Sequence, residues 1–70
     1  MTKSNFISTA TPLAVQIAGQ PVVAAPKKFS TGSVGYFLNG KIDVRLRDGT
    51  TVKLQVSASL TAIGSKEWTE

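Results

Sequence analysis

Seventy residues allow one domain, and a chain this short buries only about 60% of the surface it exposes when unfolded. The absence of cysteine rules out a disulfide, and the absence of histidine, with only Asp43, Asp48, Glu67 and Glu70 as side-chain carboxylates, deprives structural zinc and haem of their usual ligands, so neither metal nor cofactor is expected. The net charge of +4 is uneven, with seven cations against two anions between Lys27 and Lys66, Lys3 ahead of that stretch and Glu67 and Glu70 behind it, a balance that attracts nucleic acid, another polyanion or an acidic partner.

Residues 1–12 are rich in Ser, Thr and Asn, show no period, and read as a flexible N-terminal arm. Ser8, Thr9, Thr11, Gln16 and Gln20 interrupt the apolar stretch that a cleaved signal needs. No run is long enough to span a membrane, and a cysteine-free chain suits a reducing cytoplasm, which is the expected location. Leu13 to Ile17 alternates as a strand does, and Gly19-Gln20-Pro21 turns the chain. Val22 to Ala25, flanked by Pro21 and Pro26, reads as a short strand confined to an edge. Lys27-Lys28 and Phe29-Ser30-Thr31-Gly32-Ser33 follow as a polar loop with one aromatic anchor.

The clearest pattern runs from Ser33 to Ala62. Val34, Tyr36 and Leu38 alternate; so do Ile42, Val44 and Leu46, and then Val52, Leu54, Val56, Ala58, Leu60 and Ala62. Asn39-Gly40 and Asp48-Gly49 separate these runs, and both dipeptides are hairpin signals. A two-residue loop at either place sets an apolar face against a charged one. Three-residue loops, Leu38-Asn39-Gly40 and Arg47-Asp48-Gly49, bring Tyr36 opposite Ile42, Ile42 opposite Leu54, Val44 opposite Val52 and Asp43 opposite Lys53, with both glycines at positive φ. The expected fold is all-β: a small antiparallel sheet with a three-stranded meander over 33–62. Strands fall near 13–18, 33–38, 41–47 and 50–63. Ser57–Ala62 outruns its partner and is expected to pair with the N-terminal strand, closing an SH3-like barrel or coiled sheet. A single β domain then covers 13–66, with a tail at 67–70 and a core of Val15, Ile17, Val34, Tyr36, Ile42, Val44, Leu46, Val52, Leu54, Val56 and Leu60.

Catalysis is not expected. The chain has no histidine for proton transfer and no cysteine for nucleophilic attack; Asp43 reads as half of a cross-strand ion pair and Asp48 as a turn residue. The Lys27–Ser33 loop offers two ammonium groups and three hydroxyls to an anion, but it lacks the spacing of a P-loop and no helix follows it; the plainer reading is a surface loop. The outward face of the meander is more pointed. It gathers Lys41, Asp43, Arg45, Thr51, Lys53, Gln55 and Ser57, with Gly35 and Phe37 beside them and Arg47 at the rim. Cations on a twisted sheet with an aromatic among them suit phosphates and a stacked base, so the expected function is nucleic-acid binding without sequence preference. Lys41, Arg45, Arg47 and Lys53 would contact phosphates, Lys27 and Lys28 would extend the patch, and Phe37 would stack. The alternative is a protein-binding or self-assembling module, a weak homodimer formed through an open sheet edge or the Phe37–Trp68 region.

Overall fold

The alternation that starts at Val34 runs through Asn39-Gly40 without a break, and so does the strand. In the computed structural model, which describes residues Met1–Glu70, helix α1 (Lys3–Thr9) precedes strands β1 (Leu13–Ile17), β2 (Gln20–Lys28), β3 (Val34–Arg45) and β4 (Thr51–Thr61), and a 3-10 turn over Ser65–Glu67 ends the chain. The strands form one antiparallel sheet in the order β1-β2-β3-β4. It is open. β1 pairs with β2, not with Ser57–Ala62, so the expected SH3-like barrel does not close and β1 and β4 are both edges.

The barrel followed from a turn that does not exist. Gly40 sits mid-strand opposite Val56, and its φ is not positive. Tyr36 therefore faces Leu60 rather than Ile42, and the far half of β4 finds its partner in Gly35–Asn39. The glycine serves a close approach instead: a Cβ there would lie 2.8 Å from Val22 Cγ1. The second turn is as expected. Leu46 and Thr50 close a three-residue loop, with Leu46 N–H donating to Thr50 O at 2.7 Å and Gly49 at φ 92°. It sets Ile42 against Leu54, Asp43 against Lys53 and Val44 against Val52. The β2–β3 connection repeats that turn: Phe29 N–H donates to Ser33 O at 2.8 Å, Gly32 N–H to Phe29 O at 3.1 Å, and Gly32 has φ 97°. Phe-Ser-Thr-Gly-Ser and Leu-Arg-Asp-Gly-Thr are one turn in two sequences.

β2 is longer than the expected edge segment Val22–Ala25, and it contains both prolines. It accommodates them because it has two neighbours at only one residue. Residues 20–24 pair with β1 and residues 24–28 with β3, so Ala24 alone is flanked on both sides, and it is fully buried. By the alternation of an antiparallel ladder, Pro21 directs its missing N–H toward β3 where β3 is unpaired, and Pro26 directs its own toward the side that β1 has left. β2 leaves β3 beyond Ala24, before the chain reaches the place where Pro21 would have had to donate. Gln20 bridges the gap: its carboxamide donates to Asp43 O at 2.6 Å and accepts from Asp43 N–H at 2.9 Å, replacing a backbone partner.

The inner face carries the core: Val22, Ala24, Leu38 and Ile42, with Val15, Ile17, Tyr36, Val44 and Val56 packed around them. Val34 is also buried. Four expected core residues lie outside this core, Val52 half-buried and three exposed. Leu46 lies beside the turn, and Leu54 and Leu60 remain 44% and 45% exposed on the inner face of β4, which no second layer covers. Where a flexible arm is expected, α1 lies against the Tyr36 end of this face. Thr2 caps it by accepting from Asn5 N–H, and Phe6 packs on Tyr36 and Trp68. Lys3 and Ser4 N–H donate to the carbonyls of Thr69 and Glu70, and the Glu70 carboxylate pairs with Lys3 and Lys28, joining the two termini in a clasp. The molecule measures 51 × 21 × 15 Å.

Candidate nucleic-acid interface

Odd-numbered residues of β3 and β4 project from the face opposite α1, because side chains alternate along a strand and the even ones meet the core. Lys41 and Arg45 on β3, and Lys53 on β4, are exposed there together. Asp43 lies among them and faces Lys53, with Nζ 3.8 Å from Oδ1. Lys27 joins from β2 opposite Gly35, and its ammonium sits 4.5 Å from the centre of the Phe37 ring and 5.9 Å from that of Phe29. Lys27, Phe37, Lys41, Arg45 and Lys53 thus share one face, and Asp43 is the one carboxylate on it.

One of the expected residues lies on the other side of the sheet, and one is at the rim, where it was expected. Lys28 is one place out of phase with Lys27 and lies on the inner side, where its Nζ meets Glu70 Oε1 at 2.6 Å. Arg47 is at the tip of the β3–β4 turn next to Asp48. Hydrogen bonds from the Thr50 backbone N–H, and then from its side chain, hold the Asp48 carboxyl below the usual range, so that tip carries both charges. Phe37 is half-buried beneath the Lys27 ammonium, so a base reaches the ring only when that ammonium moves aside. Phe37 and Trp68 also lie on opposite faces, since Trp68 packs with Phe6; they do not form one patch.

The sequence reading omitted Ser59 and Thr61. They continue the outward row Thr51, Lys53, Gln55, Ser57 of β4, and with Lys27, Lys28, Phe29, Ser30 and Thr31 they line a cleft of about 690 Å³ at the end of the basic face. The signal was present in the unbroken alternation of β4, but ending β3 at Leu38 detached these positions from the face. The Phe29–Ser33 and Ile63–Lys66 segments belong together. Ser65 is 1% exposed, and its hydroxyl accepts from Val34 N–H at 3.0 Å and donates to Val34 O at 3.2 Å, tying the last turn to the start of β3.

No helix is long and apolar enough to cross a membrane. No family model, no curated protein and no solved structure matches this chain.

Proposed function

We propose that the protein binds nucleic acid or a similar polyanion along the outer face of its sheet, without reading sequence. The observation that supports this is the sorting of charge. Lys27, Lys41, Arg45 and Lys53 are exposed on one face with a single carboxylate, while Glu70 is on the other side, occupied by Lys3 and Lys28. β3 and β4 space these cations along an extended line, which suits a phosphate backbone better than a compact anion. The hydroxyls of Thr51, Ser57, Ser59 and Thr61 supply donors between them. A strand laid on this face releases counterions as it binds, so affinity falls steeply with salt.

Anisotropy titrations of a labelled single strand and a labelled duplex, at about 50 and about 200 mM salt, test the proposal. Lys41→Ala and Arg45→Ala should each weaken binding and flatten the salt slope by about one unit, whereas Lys66→Ala, in the last turn and off this face, should leave both nearly unchanged. Absence of binding at the lower salt with micromolar protein overturns the reading, as does a loss with Lys66→Ala equal to that with Lys41→Ala.

A further inference from the structure

β4 is an eleven-residue edge, and its free side is intact. The bonds Leu46 N–H to Thr50 O and Ala62 N–H to Val34 O fix the phase of the ladder, so the even residues of β4 spend their backbone groups on β3. The odd residues, Thr51, Lys53, Gln55, Ser57, Ser59 and Thr61, direct theirs outward. Exposed edges are ordinarily guarded by proline, a bulge or several charges. β4 has no proline, pairs with β3 without a bulge, and carries Lys53 as its one charge. Beside this edge the inner row is uncovered: Leu54 and Leu60 are close to half exposed, and a groove of about 400 Å³ runs past Phe6, Tyr36 and Leu60.

The bulk dimensions give the size of what is missing. The accessible surface is 4990 Å² for a 7.4 kDa chain, against roughly 4200 Å² for a compact monomer of that mass. The excess, roughly 800 Å², is about what each partner contributes to a standard stable interface. The 36 backbone–backbone hydrogen bonds fall short of the roughly 50 usual for 70 residues, a deficit that an edge left unpaired over eleven residues helps to explain.

We propose that the occupant of this edge is a second copy of the chain, paired β4 to β4 antiparallel about a two-fold axis at Val56. In that register Val56 faces its own copy, Leu54 faces Ala58, Val52 faces Leu60, Gln55 faces Ser57, Lys53 faces Ser59 and Thr51 faces Thr61. All outward backbone groups of the six odd residues find partners, apolar side chains meet apolar ones, and the two Lys53 ammonium groups lie toward opposite ends rather than against each other. Moving the axis to Gln55 or Ser57 leaves an odd residue at each end unpaired. Val52 of the second copy comes beside Leu60, at the groove lined by Phe6 and Tyr36. The axis is perpendicular to the sheet, so the cationic faces of both copies point the same way. The pairing stands on the edge and the apolar row, independently of any polyanion.

Sedimentation of the full chain from micromolar to several hundred micromolar, without nucleic acid, tests it. A monomer–dimer equilibrium is expected. Gln55→Pro removes an edge donor that β3 does not use and should raise the dimer Kd by at least about tenfold while circular dichroism stays sheet-like. Since the chain has no cysteine, Val56→Cys and Val52→Cys are clean single-thiol probes. Facing residues of this kind sit about 4.5 Å apart at Cα, within disulfide range, so Val56→Cys should cross-link readily and Val52→Cys should not. A monomer at every concentration overturns the pairing, as does a folded Gln55→Pro dimer as tight as wild type. If the proline variant loses its sheet, the thiol pair decides: equal cross-linking at 52 and 56, or none at 56, overturns it.

Discussion

Two residues carry more structural consequence than their chemistry suggests. Ser65 is a buried hydroxyl that serves both backbone groups of Val34. Ser65→Ala leaves Val34 N–H without its partner in a dry place, which costs roughly 1–3 kcal/mol in urea unfolding. Ala18 is the reverse case. With Gly19 it forms the two-residue β1–β2 turn, and its φ of 52° is in the left-handed region that a Cβ disfavours. Asparagine is the residue this turn prefers. Ala18→Asn should therefore raise stability by roughly 0.5–1 kcal/mol, read as a higher urea midpoint with unchanged slope. At the clasp, the Glu70 carboxyl is held below the ordinary glutamate range, mainly by the hydrogen bond from Lys28 and then by that from Lys3. A depressed folded value means that the contribution is complete at neutral pH and is lost as pH falls through it. Trp68, packed on Phe6, reports the event. Its fluorescence should change as acid releases the clasp, and Glu70→Gln should show the released signal already at pH 7.

At the scale of elements, the two Asx-Gly dipeptides separate what local sequence determines from what it does not. Asp48-Gly49 turns the chain where two successive even positions, Asp48 and Thr50, carry no apolar side chain, and the three-residue loop, the Asp43–Lys53 pairing and the positive φ of Gly49 were all legible. Around Asn39-Gly40 only Gly40 interrupts the apolar even positions 34 to 44, and the turn propensity of the dipeptide yields to the continuous strand. The reason for glycine there is Val22, a contact eighteen residues back in the chain that no local pattern records. The same misplacement hid Ser59 and Thr61 from the candidate face, whereas Lys41, Arg45 and Lys53 were placed correctly because they flank the turn that was read correctly. The two glycines should behave differently under substitution. Gly49→Ala strains the backbone in open space and should cost roughly 1 kcal/mol whatever its surroundings. Gly40→Ala collides with Val22, so its cost should shrink in a Val22→Ala background; a double-mutant cycle with no coupling would contradict the packing.

On the scale of the whole molecule, the radius of gyration is 15.4 Å, where a compact domain of this length has about 11 Å. The chain is spread as one layer with α1 and the last turn covering one end, and Leu54 and Leu60 on its inner face lack a second layer. Compactness is the property that composition predicts least well: alternation tells which side of a strand is apolar, not whether anything lies against it. Leu54 and Leu60 were assigned to the core on alternation alone, and they satisfy it in phase while remaining near half exposure. Small-angle scattering at low concentration should return a radius near 15 Å for the single chain, and a value near 11 Å would mean that the sheet curls shut in solution.

The clasp between Lys3–Ser4 and Thr69–Glu70 has a kinetic consequence. Every strand in the sheet pairs with its neighbour in sequence, so β1 to β4 can form through short loop closures alone. The clasp instead closes nearly the full length of the chain, an entropy loss that is repaid only once the sheet exists to dock α1. It belongs to the late side of the folding barrier. Substitutions there, such as Glu70→Gln, should leave the refolding limb of a chevron plot in place and raise the unfolding limb, with φ-values near zero. The termini then govern how long the folded molecule lasts, and the meander governs how fast it forms.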